Sequence, residues 1–196
     1  MIIRDAEPGD AQALADVAIM AGHGVMQLLY EGLLPGKSVA DTIIERRILN
    51  PESFAAVGHW RVVTDGAGNF LGALNSFPHE VLMTAPDDPL LDEARWGPIA
   101  GLTELEALAG GSYYVNIIAV MPEHRGTGAG HGLMQEAEAL ARRQGFNRMA
   151  LCTFDGDGKL LRFYQRQGYG VMDRRPIKPH PLIDATGNFL LMGREI

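Results

Sequence analysis

The chain has 196 residues and a mass of 21.3 kDa, a length that fits one domain with a sizeable core. Its formal net charge of −7 argues against a general nucleic-acid binder, because the binding energy of such a protein comes from a basic face. The single cysteine, Cys152, excludes an intramolecular disulfide and a cysteine metal cluster, and we expect no bound metal.

Nothing in the sequence predicts a membrane partner. No stretch approaches the ~20 consecutive apolar residues of a membrane span, and residues 1–10 lack the apolar core of a signal peptide. No internal repeat or linker divides the chain. We therefore expect a soluble, cytoplasmic, single-domain protein.

The first half of the chain predicts two helices and a β-hairpin. The predicted elements are a strand at 1–4, a helix that begins near Pro8 and ends near Gly22, a helix at 39–49, and a hairpin of strands 60–64 and 70–76. Residues 25–36 have no clear periodicity. Residues 78–111 hold several prolines, and only one or two helical turns are predicted there, at 99–108.

The second half alternates strands and helices. Residues 113–120 form a nearly continuous apolar run, which is typical of a strand buried on both faces. The elements that follow are a helix at 130–144, a strand at 148–154, a helix at 158–166, and strands at 169–174 and 189–195. This order predicts a mixed sheet covered by helices.

A glycine-rich loop joins the strand at 113–120 to its helix. Gly126, Gly128 and Gly130 occupy alternate positions, so the backbone N–H groups can turn inward towards a ligand. The start of the helix adds unpaired N–H groups and a partial positive charge, and Arg125 adds a full charge. These features predict a site for a pyrophosphate.

Two common phosphate-binding fingerprints do not fit this loop. The dinucleotide pattern G-x-G-x-x-G fails because its last position falls on His131 or Leu133. A P-loop fails because no Gly-Lys-Ser/Thr follows. The pattern that does fit is Arg-x-x-Gly-x-Gly, at Arg125, Gly128 and Gly130.

That pattern, placed after a strand and Pro122-Glu123, resembles the acetyl-CoA loop of the GNAT superfamily of N-acetyltransferases. A second segment agrees, because residues 163–169 hold a tyrosine, Tyr164, shortly before a Gly-aromatic pair. The resemblance covers residues 113–169, and the N-terminal half only by its order of elements. Asp157 departs from the family, since many relatives have asparagine near the cofactor at this place.

The resemblance implies an α/β (α+β) fold. Its mixed, mostly antiparallel central sheet would have about six to seven strands, flanked by helices, with a splayed cofactor cleft. Residues 1–196 would form one acyltransferase domain, in which 1–111 is the acceptor-side half and 112–196 the cofactor-binding half. The resemblance is also compatible with a homodimer.

The resemblance assigns site residues for acetyl-CoA as cosubstrate. The pantetheine arm would pair with the strand at 118–120, and a backbone N–H near Ala119 or Val120 would stabilise the oxyanion. The implied cofactor-binding residues are Ile118, Ala119, Val120, Arg125, Gly126, Thr127, Gly128, Ala129, Gly130 and His131.

Transfer to the amine would be direct, so Cys152 has no necessary part. Tyr164 is the implied general acid for the leaving thiolate. The identity of the base stays open among several residues. The candidates are Asn116 through a bound water, Tyr113, Tyr114, Glu80, His79 and His23.

The implied activity is transfer of an acetyl group from acetyl-CoA to a primary amine of an unidentified small molecule or protein. The alternative is a non-catalytic or regulatory CoA-binding module. Acceptor specificity would come from residues 22–36 and 77–111. The second segment carries Asp87, Asp88, Asp92 and Glu93, which either favour a cationic amine or form a solvated face.

Overall fold

Seven strands form one sheet in a computed structural model that describes residues 1–196. The strands are β1 (Ile2–Asp5), β2 (Trp60–Thr64), β3 (Phe70–Pro78), β4 (Tyr113–Val120), β5 (Arg148–Phe154), β6 (Gly170–Pro176) and β7 (Asn188–Glu195). They lie in the order β1-β2-β3-β4-β5-β7-β6. Only β4 and β5 pair in parallel, and the predicted mixed, mostly antiparallel sheet is confirmed.

Eight α-helices accompany the sheet. They are α1 (Ala11–Ala21), α2 (Val25–Tyr30), α3 (Val39–Ile43), α4 (His79–Thr84), α5 (Glu93–Trp96), α6 (Ala100–Ala107), α7 (Ala129–Arg143) and α8 (Gly158–Arg166). Most predicted elements agree with these bounds to within two residues, but the helix predicted from Pro8 is α-helical only from Ala11, and the one predicted at 39–49 is α-helical only as far as Ile43. The unassigned segments contain α2, α4 and α5. None of the helices has the length and apolar character needed to cross a membrane.

The alternation of side chains along the strands produces two cores, one on each face of the sheet. Tyr114 and Ala150 belong to the core that packs against α1, α2 and α3. Their neighbours Tyr113 and Met149 belong to the core that packs against α7 and α8. Since the first core also includes Leu14, the two predicted halves of the chain share one interior.

The predicted helix at 39–49 is present, but it changes its winding after Ile43. Residues Ile44–Ile48 form a π-helix, in which the ring closed by each hydrogen bond is one residue larger. Such segments occur frequently at functional sites. Within it Arg47 is buried, with 7% of its surface exposed.

Strand β4 is not buried on both faces along its whole length, as its composition predicted. Tyr113–Val115 are buried, but the residues from Asn116 to Val120 are partly exposed. The pairing with β3 shifts register at this point, so that Asn116 is an extra residue in β4. A bulge of this kind bends the strand, and here it is where β4 separates from β5.

Candidate active site

A long cleft opens where two parallel strands diverge. Strands β4 and β5 pair only between Tyr113–Val115 and Met149–Leu151, while β5 continues to pair with β7 as far as Phe154. The second half of β4 therefore has a free edge. The resulting cavity of about 710 Å³, hereafter the long cleft, is lined by 116–120, 124–131 except Thr127, 152–154 and parts of α1 and α8.

The glycine-rich loop presents six consecutive unpaired N–H groups at one end of the long cleft. None of the N–H groups from Gly126 to His131 donates to an acceptor in the chain. Gly126 and Gly128 have φ values of 80° and 90°, a region that favours glycine. Helix α7 begins directly after Gly128, so its dipole adds positive potential. This arrangement suits an anionic ligand such as a pyrophosphate.

The other loop residues predicted from the sequence lie around these N–H groups. Arg125 is exposed, lines the long cleft and donates from Nε to the carbonyl oxygen of Val120 at 3.3 Å. His131 and Ala129 also line it. Thr127 does not, because its hydroxyl donates to the carbonyl oxygen of His124 at 2.7 Å. Thr127 can therefore contribute its N–H group but not its side chain.

Tyr164 lies in the wall of the long cleft, on the inner face of α8. It is buried, with 4% of its surface exposed, and its ring packs against those of Phe163 and Tyr169 at 5.3 and 6.1 Å. No group of the chain is hydrogen-bonded to its hydroxyl, and the oxygen is not sealed in the core. Burial raises the pKa of Tyr164 well above its ordinary value, so the hydroxyl stays protonated and can donate.

A second cavity of about 340 Å³ opens from the middle of the long cleft. Most of its wall is apolar or aromatic, and we call it the aromatic pocket. Its larger lining residues are Met26, Leu29, Tyr30, Ile43, Arg47, Ile48, Phe54, Trp60, Leu82, Trp96, Ile99 and Leu102. Parts of both segments predicted for acceptor specificity, 22–36 and 77–111, line this pocket, and residues from 43–60, which were not predicted, line it as well. Their role in specificity stays a prediction.

Two polar side chains stand where the cavities join. Seven residues line both cavities, and only Glu106 and Asn116 among them have polar side chains. Asn116 donates from Nδ2 to Oδ1 of Asn75 at 2.8 Å, which orients its own Oδ1. The bulge in β4 thus places an amide oxygen at this junction.

The sequence analysis missed Glu106, although its environment is the most unusual of the acidic residues near the cleft. The hydroxyl of Tyr114 donates to Glu106 Oε1 at 3.2 Å, and His79 Nε2 donates to the backbone carbonyl of Glu106 at 2.7 Å. Burial raises the pKa of Glu106 to about 7, and the hydrogen bond from Tyr114 opposes part of this rise. Near neutral pH this carboxyl group can therefore take up and release protons.

The remaining candidate bases fall into two groups. His23 and Tyr114 line the long cleft. His23 Nδ1 lies 3.0 Å from Asp184 Oδ1, and the hydroxyl of Tyr114 donates its hydrogen bond to Glu106. Tyr113, His79 and Glu80 line neither cavity. Two of these five residues therefore line the long cleft.

Two residues singled out in the sequence have structural explanations. Asp157 caps α8, since its carboxylate accepts from the N–H groups of Lys159 and Leu160 at 2.8 and 3.2 Å, and these bonds lower its pKa. This accounts for an acidic residue beside the cleft. Burial, reinforced by the nearby Glu106, raises the pKa of the Cys152 thiol far above its ordinary value, which makes it a poor nucleophile.

The acidic run near 87–93 is mainly structural. Asp88 is buried and accepts two hydrogen bonds from Arg46, at 2.6 and 3.0 Å. Asp92 caps α5 by accepting from the N–H group of Arg95. Only Asp87 is an exposed carboxylate at the rim of the aromatic pocket.

Comparison with solved structures shows the same architecture in several acetyltransferases. An N-acetyltransferase from Staphylococcus aureus Mu50 is 17% identical, with a TM-score of 0.68 over 99% of this chain and 100% of that one. A polyamine N-acetyltransferase from Drosophila melanogaster is 15% identical, with a TM-score of 0.66 over 100% of this chain and 99% of that one. Rv2747 from Mycobacterium tuberculosis, solved in complex with CoA, is 16% identical, with a TM-score of 0.55 over 100% of this chain and 99% of that one. At such low sequence identities, the structural similarity shows a shared fold.

Comparison with families of known sequence gives a more specific result. The chain matches no curated protein sequence. The model of the acetyltransferase (GNAT) family, however, matches residues 51–169, which is more than half of the chain and includes the divergent strands, the glycine-rich loop and Tyr164. The chain therefore belongs to the GNAT family of acetyltransferases.

Proposed function

We propose that the protein is an N-acetyltransferase that transfers an acetyl group directly from acetyl-CoA to a primary amine. The observation that carries this proposal is the free edge of β4, which lines the same cleft as the six unpaired N–H groups and Tyr164. The likeness to structures named as N-acetyltransferases supports an amine as acceptor.

The residues of the long cleft fit CoA. The N–H groups of Gly126–His131 would hold the pyrophosphate, with Arg125 at its edge. The backbone of Ile118–Val120 would pair with the amide groups of the pantetheine arm. A cleft of about 710 Å³ is within the range of cavities that bury most of an extended ligand.

The chemistry needs an acid, an oxyanion donor and a base. When bound, acetyl-CoA supplies an acetyl group activated as a thioester. Tyr164 would donate to the leaving sulfur, and a backbone N–H of the free edge near Ala119 or Val120 would donate to the developing oxyanion. Asn116 would orient the amine or a water beside it, and Glu106, which lines the same junction, would take the proton.

Release of free thiol from acetyl-CoA in the presence of a panel of primary amines tests the proposal. We expect turnover with at least one amine and N-acetylation of that amine by mass spectrometry. Tight binding of CoA without turnover of any amine would instead support the alternative, a regulatory CoA-binding module. Asn116 and Glu106 at the junction with a second pocket favour the enzyme, because a binding module has no use for them.

Replacing Gly128 by alanine should weaken CoA binding about tenfold. A left-handed conformation costs an L-residue roughly 1–2 kcal/mol, and relief of this strain would turn the N–H groups out of alignment. Calorimetric titration with CoA measures the effect. Gly132→Ala, in the first turns of α7 and without a positive φ, is the matched control and should bind CoA as the wild type does.

Replacing Arg125 by alanine should raise the Kd for CoA about tenfold at low salt and much less at high salt. Arg125 is exposed, so its attraction to a phosphate is screened by ions. Turnover at saturating acetyl-CoA should stay near the wild-type value. A loss of turnover with unchanged Kd would contradict a role in binding alone.

A further inference from the structure

Arg47 is a buried cation in the wall of the aromatic pocket. Only 7% of its surface is exposed, and its guanidinium carbon lies 5.0 Å from the ring centre of Phe54 and 5.8 Å from that of Tyr30. Both rings also line the pocket. The π-helix at Ile44–Ile48 brings this side chain to the pocket, since Arg47 is one of its five residues.

The charge of Arg47 has no acidic partner of its own. Its Nε donates to the hydroxyl of Tyr30 at 2.5 Å, and no carboxylate lies within ion-pair distance. The charge of Arg47 helps to lower the pKa of Asp88, but that carboxylate already accepts both hydrogen bonds of a bidentate pair from Arg46. A buried cation without a counter-ion is costly, so the site has a residual need for an anion.

The two terminal nitrogens of Arg47 remain available to a ligand. Neither makes a hydrogen bond to the chain, and neither is among the polar atoms that are sealed in the interior without a partner. They therefore open onto the pocket that Arg47 lines. A planar guanidinium with two free N–H-bearing nitrogens matches a carboxylate in a bidentate arrangement.

The composition of the wall selects a monoanion with an apolar body. Arg47 is the only cationic side chain among the lining residues, and Asp87 and Asp88 lie nearby, which disfavours a doubly charged phosphate. Phe54, Trp60 and Trp96 provide aromatic faces instead. Two other residues of its wall, Glu106 and Asn116, also line the long cleft.

We propose that the acceptor is an apolar amine that also carries a carboxylate, as an apolar amino acid does, with its carboxylate on Arg47 and its nitrogen at the junction formed by Glu106 and Asn116. This inference rests on the proposed acetyl transfer and names the substrate class for it. The cleft and the pocket share this junction, so a molecule in the pocket would have access to a thioester in the cleft.

The transfer balances as an ordinary aminolysis. A bond forms between the amine nitrogen and the acetyl carbonyl carbon, and the bond between that carbon and the sulfur of CoA breaks. The ammonium loses two protons in all. One proton leaves to solvent through Glu106. The other replaces the proton that Tyr164 gives to the thiolate, so that the hydroxyl of Tyr164 is restored. The carboxylate on Arg47 takes no part in the bond changes.

Matched pairs of amines test the inference on the wild-type protein. We expect kcat/KM for L-phenylalanine to exceed that for 2-phenylethylamine and for L-phenylalaninamide by about 10- to 100-fold, the range expected of hydrogen bonds between charged groups. L-leucine and 3-methylbutylamine form a second pair. Equal use of both members, or a preference for the amines without carboxylate, would overturn the inference.

Variants of Arg47 show whether this residue carries the preference. Arg47→Met should reduce the ratio within each pair to near one, and Arg47→Lys should retain only part of it, because lysine lacks the planar fork. A purely structural role would lower both members of a pair equally. Arg143→Met, which removes an exposed arginine that lines neither cavity, is the matched control. A ratio that survives in Arg47→Met overturns the assignment.

A binding measurement separates this inference from the proposed function. If no amine is acetylated, the proposed function fails, but 3-phenylpropionate can still be titrated into the CoA-saturated protein by calorimetry. We expect it to bind about tenfold more tightly than 3-phenylpropanol, and Arg47→Met should abolish the difference. Equal binding of the acid and the alcohol would overturn the inference whatever the outcome of the activity assay.

Discussion

Replacing Tyr164 by phenylalanine should lower kcat by about 100- to 1,000-fold, the range of general-acid contributions, while the Kd for CoA changes little. The hydroxyl has no partner in the chain and faces the long cleft, so it is free to donate to the leaving sulfur. Its ring, which phenylalanine retains, makes the packing contacts with Phe163 and Tyr169. Steady-state thiol release and calorimetric titration with CoA measure the two quantities.

Tyr169 provides the control for this substitution. It is also buried, its ring lies 6.1 Å from that of Tyr164, and it lines neither cavity. Tyr169→Phe removes the same atom from a neighbouring ring and should leave kcat near the wild-type value. If Tyr164→Phe lost its affinity for CoA and kept its rate, the hydroxyl would be a binding group and its assignment as the acid would be wrong.

The cofactor side of the site could be predicted because its information is local in the sequence. The N–H groups proposed to hold an anion come from consecutive residues, Gly126–His131, and helix α7 begins within this run. Strand β4 and helix α8 have the predicted bounds for the same reason, since their patterns lie within each segment. The bulge at Asn116 was not predictable, because it depends on pairing with β3, some forty residues earlier.

The acceptor side could not be predicted because its chemistry is assembled from distant segments. Arg47 and Glu106 belong to unremarkable sequences. Arg47 becomes unusual only through its burial, and Glu106 only through the desolvation that raises the pKa of its carboxyl group. The walls of the aromatic pocket come from residues 18–30, 43–60 and 82–117. For Arg47 the only local signal is a charged residue beside Ile48, within an apolar periodicity, and such a residue is usually exposed.

Replacing Glu106 by glutamine should lower kcat at neutral pH by about 100-fold or more, because the amide cannot take a proton from the amine. In the wild type, only the ionised carboxylate is a base, so kcat at saturating acceptor should rise with pH through about 7 and then level off. The variant should lose this inflection. Measuring kcat against pH for both proteins checks the assignment. An inflection that persists in Glu106→Gln would mean that another group takes the proton from the amine.

The free energy of unfolding should fall as the pH rises, whereas kcat should rise, because both depend on the ionisation of Glu106. Because burial raises the pKa of Glu106 from 4.5 to about 7, the folded state prefers the protonated form, and this contribution to stability is lost as the pH rises between these values. Glutamine is neutral at every pH. Denaturant unfolding should therefore show that the free energy of unfolding of Glu106→Gln increases relative to that of the wild type as the pH rises from 4.5 to 8. Glu104→Gln, on the exposed side of α6, should show no such trend. The same desolvation that would suit Glu106 to act as a base near neutral pH thus costs stability there, which is expected of a group retained for function rather than for folding.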